Sequence, residues 1–396
     1  MTSSSVAITD YTLTSALGTG RDAALASLRE GRSGLRPHRF ETACLDTWIG
    51  EVPGLDDVRV PAALAQFDCR NNRLAWLGLQ ADGFAASVAA ASARHGAQRV
   101  ALVLGTSTSG ILSSEQAYRR RDPASGALPH DFHYAGTLNT GSLSAFVGAA
   151  LGLGGPAFVI STACSSSAKA FAAGARLIQL GLADAAVVGG VDSLCLHTLY
   201  GFHSLELLSP EICRPWDAQR CGLSLGEAAA FALLERASTD ARAWLLGAGE
   251  SSDGYHMSAP HPQGEGAAEA MRAALAAAGV EAADIDYVNL HGTGTLSNDA
   301  AEDAAMREVF GTRVACSSTK GATGHTLGAA GAVEAAVSLL ALEHGVMPGG
   351  ANRRTPDTAL AARYLDTPVA APLRRVASNS FGFGGSNACL VFGAAA

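Results

Sequence analysis

Two parts of this 396-residue chain repeat one order of sequence patterns, and the repetition limits the fold more than any other feature. Residues 102–108, an apolar run that ends in small residues, correspond to residues 288–294. Residues 161–164 and the Ala-rich stretch after them correspond to residues 317–320 and a second Ala-rich stretch. Short apolar runs predict buried strands, and the Ala-rich stretches predict helices. The sequence therefore predicts a duplicated α/β fold, with sheets covered by helices.

The other patterns continue the alternation of strands and helices. Strands are predicted at 6–16, 99–105, 158–162, 185–190, 231–234, 242–248, 285–290 and 314–317, near 376 and at 388–392. Helices are predicted at 21–29, 71–94, 142–151, 170–180, 264–278 and 328–342. Residues 32–61, 208–225 and 379–387 are rich in turn residues, and 118–134 form a polar insertion.

Composition indicates a well-buried globular chain. Hydrophobic residues make up 48% and charged residues only 16%, so the chain can bury a large core. We divide it into an N-terminal half, residues 1–235, and a C-terminal half, residues 236–396. The formal charge of −8 and the lack of a basic run argue against nucleic acid as a partner.

Compartment and membrane association follow from similar observations. The eight cysteines lack metal-type pairs, and the first five residues lack a charged and then apolar signal. The apolar stretches are interrupted by glycine and are too short to cross a bilayer. These features predict a cytoplasmic protein with no membrane segment and no metal site.

Residues 158–169 contain the best candidate for a reactive group. A strand pattern ends in small hydroxyl residues, Cys164 follows, and a helix pattern begins. A thiol at that turn would face the positive end of the helix, which favours the thiolate and nucleophilic chemistry.

Six stretches in chain order resemble those of the β-ketoacyl-acyl-carrier-protein synthases, the elongating condensing enzymes of the thiolase superfamily. They are 161–164 (STAC), 214–217 (RPWD), 253–257 (DGYHM), 291–295 (HGTGT), 318–325 (STKGATGH) and 379–387 (NSFGFGGSN). The resemblance implies the thiolase fold, a duplicated five-layered αβαβα architecture, and a dimer. It implies no permanently bound cofactor, since an acyl carrier protein delivers the substrate on a phosphopantetheine arm.

The chemistry of condensation supports this resemblance. Joining an acyl thioester to a malonyl thioester needs a nucleophile to hold the acyl group, which Cys164 supplies. It also needs donors for the enolate that remains when carbon dioxide leaves, and neutral imidazoles of His291 and His325 fit that task. These two histidines sit in glycine-rich turns after predicted strands.

Lysine usage singles out Lys320. Of the 28 basic residues only Lys169 and Lys320 are lysines, which leaves 26 arginines. A lysine in such an arginine-rich chain indicates that position 320 needs a compact ammonium group rather than a planar guanidinium. We expect Lys320 to orient and tune His325 in a network with Glu334. For Lys169 we expect only a structural or partner-facing role.

The resemblance implies smaller roles for residues around the thiol. The backbone N–H groups of Cys164 and Phe383 would form the oxyanion hole, and Phe381 would be a gate between the malonyl and acyl pockets. Thr293 and Thr295, with Ser258 nearby, would bind the amides of the phosphopantetheine arm. Candidate arginines for an acidic carrier protein are Arg70, Arg73, Arg214 and Arg220.

The chain also departs from the pattern of fatty-acid elongating synthases. It reads LSND at 296–299, where many of them carry a Pro-x-Gly-Asp run, and it has Cys221 where an acidic residue is usual. The Asn-Asp pair, with Asp299 in a supporting role, resembles condensing enzymes of aryl-polyene-type pathways. Thr108 stands where a bulky aliphatic residue often limits the acyl pocket, so a longer or stiffer chain would fit.

Several alternatives stay open. Housekeeping fatty-acid elongation and specialised polyene elongation both fit, with the first slightly less favoured. The partner could be a second copy or a related condensing-enzyme-like subunit. A non-catalytic partner subunit of the same fold would lack the nucleophile, a degradative thiolase would need a C-terminal Cys-x-Gly turn, and a cysteine hydrolase would need a water-activating base.

Overall fold

Two sets of five strands with the same order form the frame of the protein, in a computed structural model that describes residues 5–236 and 240–395. The strands are β1 (Val6–Ser15), β2 (Gly18–Thr19), β3 (Arg36–Pro37), β4 (Trp48–Gly50), β5 (Val100–Gly105), β6 (Ala157–Ile160), β7 (Ala185–Asp192), β8 (Leu225–Gly226), β9 (Ala228–Glu235), β10 (Ala243–Ser252), β11 (Tyr287–Asn289), β12 (Ala315–Ser317), β13 (Val346–Met347), β14 (Arg363–Tyr364), β15 (Val369–Ala370), β16 (Arg375–Gly382) and β17 (Ser386–Ala394).

The helices lie between and outside these strands. They are α1 (Arg21–Glu30), α2 (Arg70–Gln80), α3 (Phe84–His95), α4 (Ile111–Arg119), α5 (Ser142–Leu151), α6 (Ser166–Gln179), α7 (Leu196–Ser204), α8 (Glu265–Ala278), α9 (Leu296–Phe310), α10 (Lys320–Thr323) and α11 (Ala330–His344).

The two strand sets share order and direction. In the first, β6-β5-β7-β9-β1, strand β5 is parallel to both neighbours and β9 is antiparallel to both of its own. In the second, β12-β11-β16-β17-β10, strands β11 and β17 have the same relations. An antiparallel pair, β1 with β10, joins the sets into one continuous sheet. The duplicated α/β architecture predicted from the sequence is confirmed.

Three hydrophobic clusters fill the spaces between five layers. The middle cluster contains α6 and α11 between the two strand sets, and the outer clusters pack α2, α3 and α5 on the first set and α8 and α9 on the second. Strand β5 contributes to two of these clusters. Ala101 and Val103 face the middle cluster, whereas Leu102 and Leu104 face an outer one. A strand covered on both faces is apolar at every position.

Helix α11 is buried on every side. Every residue from 330 to 342 is buried, and its only charged side chain in that stretch is Glu334. The apolar stretch Leu327–His344 is long enough to cross a membrane, but 89% of it is buried inside the protein. It is therefore the core helix of the middle layer. Glycines let it approach α6, since a Cβ at Gly331 would lie 2.6 Å from the Ala168 nitrogen.

Some predicted elements were wrong. The helix expected at 71–94 is two helices, because Asp82 and Gly83 adopt positive φ of 57° and 74° and break it. Helices α4, α7, α9 and α10 were not predicted. The turn expected at 379–387 is mostly strand, since β16 continues to Gly382 and β17 starts at Ser386, leaving the short turn Phe383–Gly385.

Candidate active site

A sharp turn between β6 and α6 presents Cys164. Ala163, just before it, has a left-handed φ of 52°, and the Thr162 N–H donates to Ser166 Oγ at 2.9 Å. The chain there approaches β5 closely, because a Cβ at Gly105 would lie 2.4 Å from the Ser167 nitrogen. The strand, turn and helix predicted for residues 158–169 are present, and the thiol is 5% exposed at the start of α6.

Both predicted histidines lie beside this thiol. His325 follows α10, and its Nε2 is 3.0 Å from the Cys164 sulfur. His291 follows β11, and its ring centroid is 5.3 Å from that of His325, with the ring planes nearly perpendicular. Residues that are far apart in sequence thus form one buried cluster.

Hydrogen bonds to the Nδ1 atoms, the inner nitrogens of the two imidazoles, determine which ring nitrogen carries the proton. The Leu327 N–H donates to His325 Nδ1 at 3.1 Å, and the Lys320 ammonium lies 3.3 Å from His291 Nδ1. Both Nδ1 atoms therefore accept, and both Nε2 atoms carry a proton. Burial, with the charge of Lys320, holds the pKa of each histidine well below its usual value, so both rings are neutral at physiological pH.

Lys320 contacts His291, and the prediction that it orients His325 was wrong. Its Nζ donates to the carbonyl oxygen of His291 and to Glu334. The inner nitrogen of His325 is already occupied by Leu327, so Lys320 affects that ring only through its charge. The expected network with Glu334 is present. Burial raises the pKa of Glu334 to about 7, against the lowering by Lys320.

Two buried carboxylates of α9 hold the turn that contains His291. Glu302 accepts the N–H groups of His291 and Gly292 at 2.8 and 2.7 Å, and Asp299 accepts the N–H of Gly294 at 3.2 Å. Asp299 also accepts the N–H of Trp216 at 3.0 Å. Glu302 was not predicted as a functional residue. The signal was its position three residues after Asp299, which places both on one face of a helix.

The resting state of the thiol differs from expectation. Burial raises the pKa of Cys164 to about 12, although the charge of Lys320 and the backbone N–H of Phe383 lower it. Desolvation outweighs the helix end, so the thiol is neutral at physiological pH rather than the predicted thiolate.

The glycine-rich turn closes the site from the opposite side. A Cβ at Gly382 would lie 2.8 Å from the Thr162 oxygen and 3.2 Å from the Cys164 nitrogen, so only glycine lets the two backbones pass this closely. The next residue, Phe383, thereby places its backbone N–H near the thiol, where the sequence analysis expects an oxyanion hole with Cys164.

Two cavities meet at the thiol. A narrow one of about 60 Å³ contains eight of the predicted site residues, and one of about 490 Å³ runs along α7. The eight are Cys164, Ser258, His291, Thr293, Thr295, His325, Phe381 and Phe383. Cys164, Phe202 and Phe383 line both cavities, whereas Phe381 lines only the narrow one.

The boundary between the cavities is aromatic. The rings of Phe202 and Phe383 lie 5.6 Å apart, and Phe202 lies 6.5 Å from the His325 ring. Phe383 therefore stands where the sequence analysis expects the gate, and Phe381 packs 5.8 Å from the His291 ring instead. Phe202 was not predicted, because α7 was not.

Thr293 and Thr295 line the narrow cavity, with their hydroxyl oxygens 2.9 Å apart. Ser258 lies on the same wall. Thr108 does not line either cavity. Its side chain is 1% exposed and donates to Asp192 Oδ1 at 2.6 Å, because the turn after β5 folds around that carboxylate. Its neighbour Ser107 lines the larger cavity, and a role of Thr108 in limiting the acyl pocket stays a prediction.

A metal ion is one possible occupant of the histidine cluster. The ligand atoms of Cys164, His291 and His325 lie within 4.8 Å of one another. A metal-binding histidine coordinates through an unprotonated nitrogen and usually donates its other N–H to a carboxylate or carbonyl. Here both inner nitrogens face donors instead. The arrangement suits donation to an anionic oxygen rather than coordination of a cation.

The four arginines expected to receive a carrier protein are all paired internally. Arg70 binds buried Glu227 at 2.7 Å, and Arg73 binds Asp68 at 2.6 Å. The side chains of Arg214 and Arg220 are only 4% and 3% exposed. Arg214 and Arg220 therefore cannot reach a partner's surface, and the expectation was wrong for these two. For Arg70 and Arg73 it stays a prediction.

Comparison with known proteins agrees with the site. Residues 3–240 match the family described as beta-ketoacyl synthase, N-terminal domain, and residues 242–354 match its C-terminal domain. The chain is 35% identical over 391 residues to nodulation protein E of Rhizobium meliloti (strain 1021), covering 95% of this chain and 96% of that one. It is 32% identical over 415 residues to 3-oxoacyl-[acyl-carrier-protein] synthase 2 of Coxiella burnetii, covering 98% and 97%.

A solved structure supports the same assignment. The ketosynthase of Xenorhabdus doucetiae, determined in complex with its chain length factor, superposes with a TM-score of 0.90. The two chains are 40% identical and 98% of each is covered. With both family domains matched and a cysteine and two histidines at one site, the chain belongs to the β-ketoacyl synthase family.

Proposed function

We propose that this chain elongates acyl chains by decarboxylative Claisen condensation. An acyl group held as a thioester on Cys164 would condense with malonyl-acyl carrier protein to give β-ketoacyl-acyl carrier protein. The observation that carries the proposal is the pair of contacts to Nδ1, from Leu327 and Lys320, which place both ring protons on Nε2 beside the thiol, where a substrate oxygen would accept them.

Acyl transfer comes first. The Cys164 sulfur attacks the carbonyl carbon of the acyl thioester, the bond from that carbon to the pantetheine sulfur breaks, and the thiol proton leaves on the pantetheine sulfur. No net charge appears, which suits a thiol whose pKa is about 12. The 490 Å³ cavity that opens beside Cys164 would hold the acyl chain.

Decarboxylation then uses the histidines. The bond between the malonyl methylene carbon and its carboxylate breaks, carbon dioxide leaves, and the electron pair forms an enolate on the thioester. The negative oxygen would accept the Nε2–H groups of His291 and His325. Loss of one such donor costs a factor of about 10² to 10³ in related oxyanion sites.

Condensation then takes place at the acyl thioester of Cys164. The enolate carbon attacks the carbonyl carbon of the Cys164 thioester, and the new oxyanion would accept the N–H groups of Cys164 and Phe383. The carbon–sulfur bond breaks, and the Cys164 thiolate takes a proton from solvent water as the β-ketoacyl product leaves. Thr293, Thr295 and Ser258 line the narrow cavity by which the phosphopantetheine arm would enter.

The larger cavity favours a long or stiff chain. Small side chains, Ser107, Ser161, Ala163 and Gly201, line it near and beyond the thiol. We therefore place the chain in polyene-type elongation ahead of housekeeping fatty-acid elongation. The similarity to a ketosynthase solved with a chain length factor supports a related subunit as the partner.

Partners and compartment belong to the same proposal. The acyl carrier protein delivers the phosphopantetheine arm, and no other cofactor is required. Strand β6 is an edge of the continuous sheet and leaves Phe158 39% exposed, which supports pairing with a second copy or a related subunit. We retain 1–235 and 236–396 as the two thiolase-like halves, and the free state of all eight cysteines supports a reducing cytoplasm.

A mixture of acyl-carrier and malonyl-carrier protein tests the proposal. With the purified protein we expect release of carbon dioxide and a β-ketoacyl product two carbons longer, identified by mass spectrometry on the carrier. A panel of saturated, polyunsaturated and aromatic primers separates the two pathways. Preference for saturated primers would contradict the polyene assignment, and absence of any condensation would contradict the proposed function.

A further inference from the structure

Asp192 is a fully buried carboxylate outside both cavities, and the proposed reaction gives it no part. It stands at the end of β7. It accepts Thr106 Oγ1 at 2.8 Å, Ser107 N–H at 2.8 Å, Thr108 N–H at 2.7 Å and Thr108 Oγ1 at 2.6 Å on its Oδ1. All of these belong to the turn after β5, whose Ser107 lines the larger cavity.

The second oxygen of Asp192 reaches the other half of the chain. Its Oδ2 accepts the N–H of Ala329 at 3.2 Å. Ala329 ends the short 3-10 turn Leu327–Ala329, which starts at the residue that donates to His325. One carboxylate thus links the turn that lines the cavity to the turn that orients a histidine.

The turn at Leu327 is strained. Leu327 has a left-handed φ of 55°, a conformation that costs a leucine about 1 to 2 kcal/mol. Such residues persist where surrounding contacts over-determine them. The Asp192 bond to Ala329, two residues later, is one of those contacts. The φ rotation at Leu327 determines how Ala329 is joined to the Leu327 N–H that donates to His325 Nδ1, so a bond that fixes Ala329 helps to hold that donor in place.

Gly328 gives independent support. A Cβ at this position would lie 2.7 Å from Asp192 Oδ2 and 3.0 Å from the Ser107 nitrogen. Its φ is not left-handed, so glycine is required here for space rather than for backbone conformation. The chain is built to let the carboxylate reach this turn.

We propose that Asp192 is a positioning residue: through Ala329 it holds the left-handed Leu327 turn, which keeps His325 oriented with its Nε2–H toward Cys164. Asp192 touches neither substrate nor the reacting atoms. The inference rests on the proposed decarboxylation. Asp192 would affect that step from the end of β7, a strand of the first set.

The test compares Asp192→Asn with Asp217→Asn. Both are fully buried carboxylates that accept backbone N–H groups, and Asp217 serves Gln219, Arg354 and Thr355 away from the histidines. In Asp192→Asn an amide NH₂ must face N–H donors. We expect the kcat of malonyl-carrier decarboxylation to fall about 10- to 100-fold with the KM for malonyl carrier unchanged. Asp217→Asn should lose stability with kcat unchanged.

Gly328→Ala is the second variant, because it leaves Asp192 in place and separates it from the turn. We expect the same loss of kcat at constant KM. Crystal structures of both variants should show that Leu327 has left the left-handed region and that its contact with His325 Nδ1 is broken.

The outcomes are distinct. An unchanged turn in both variants, or an unchanged kcat with a relaxed turn, would overturn the role of Asp192. An equal loss of kcat in Asp217→Asn would reduce that role to general stability and overturn it as well. If the wild-type chain released no carbon dioxide, the proposed function would fail, while the crystal structures would still decide whether Asp192 holds the turn.

Discussion

The backbone N–H of Leu327 donates to Nδ1 of His325, and this contact determines what the histidine can do. The ring nitrogen that accepts carries no proton, so the proton is on Nε2, which faces the Cys164 sulfur at 3.0 Å. His325 in this state is a hydrogen-bond donor and not a base for the thiol. The chemistry proposed for the site follows from that state.

Removing either donor should suppress decarboxylation. For His291→Ala and His325→Ala we expect the rate of carbon dioxide release from malonyl carrier to fall by about 10² to 10³. The matched control is His344→Ala, which removes an exposed imidazole at the end of α11. A radiometric assay of carbon dioxide measures all three, and a loss below threefold in either site variant would contradict the donor role.

The neutral state of His325 predicts a pH dependence of stability. Its pKa is far below the ordinary value in the folded protein, so below about pH 6.5 the unfolded chain binds a proton that the folded chain does not. The wild type should therefore lose stability relative to His325→Ala as pH falls below 6.5, by up to about 1.4 kcal/mol per pH unit. Urea unfolding at pH 7.5, 6.5 and 5.5 measures the difference. A difference that stays constant with pH would show that His325 takes up its proton at the same pH in the folded and unfolded chains, and would contradict the lowered pKa.

The buried pair of Lys320 and Glu334 should be costly to break. Lys320→Met leaves a carboxylate unpaired inside the middle layer, and we expect the free energy of unfolding to drop by about 3 to 5 kcal/mol at pH 8. Adding Glu334→Gln should recover part of the loss. The control is Arg242→Met, whose pair with Glu343 is partly exposed and should cost below about 1 kcal/mol. Equal losses in the two single variants would contradict a buried, coupled pair.

Filling the larger cavity should shorten the accepted acyl chain. Gly201 lies in α7 and lines this cavity, and a Cβ there meets no atom within 4 Å. Gly201→Leu should fold and lower kcat/KM for long acyl primers by about 10- to 200-fold, while acetyl transfer changes little. Competition between long and short primers in one reaction measures the ratio. An unchanged ratio would place the acyl chain elsewhere.

The sequence predicted much of the fold and site because both depend on local patterns. Apolar runs followed by Ala-rich stretches gave the strand sets and the two central helices. Cys164, His291 and His325 each stand in a small-residue turn, which is visible without a structure.

What the sequence missed has physical causes. Helix α9 buries Asp299, Glu302 and Asp303 among its apolar residues, so acidic side chains interrupt the apolar period of its buried face. Whether Lys320 contacts His291 or His325 depends on which of the two histidine turns lies beside it in the fold. The spacing of these residues in the sequence does not determine that. The neutral thiol arises from burial, and burial outweighs the helix end that the sequence made visible.

Acylation of Cys164 tests the central claim most directly. Wild type, Cys164→Ala and Cys164→Gln are incubated with acyl carrier, and the intact protein mass is measured before and after malonyl carrier is added. We predict an acyl adduct on the wild type that disappears as β-ketoacyl product forms, and neither adduct nor product with the two variants. Full condensation by Cys164→Ala would contradict the mechanism.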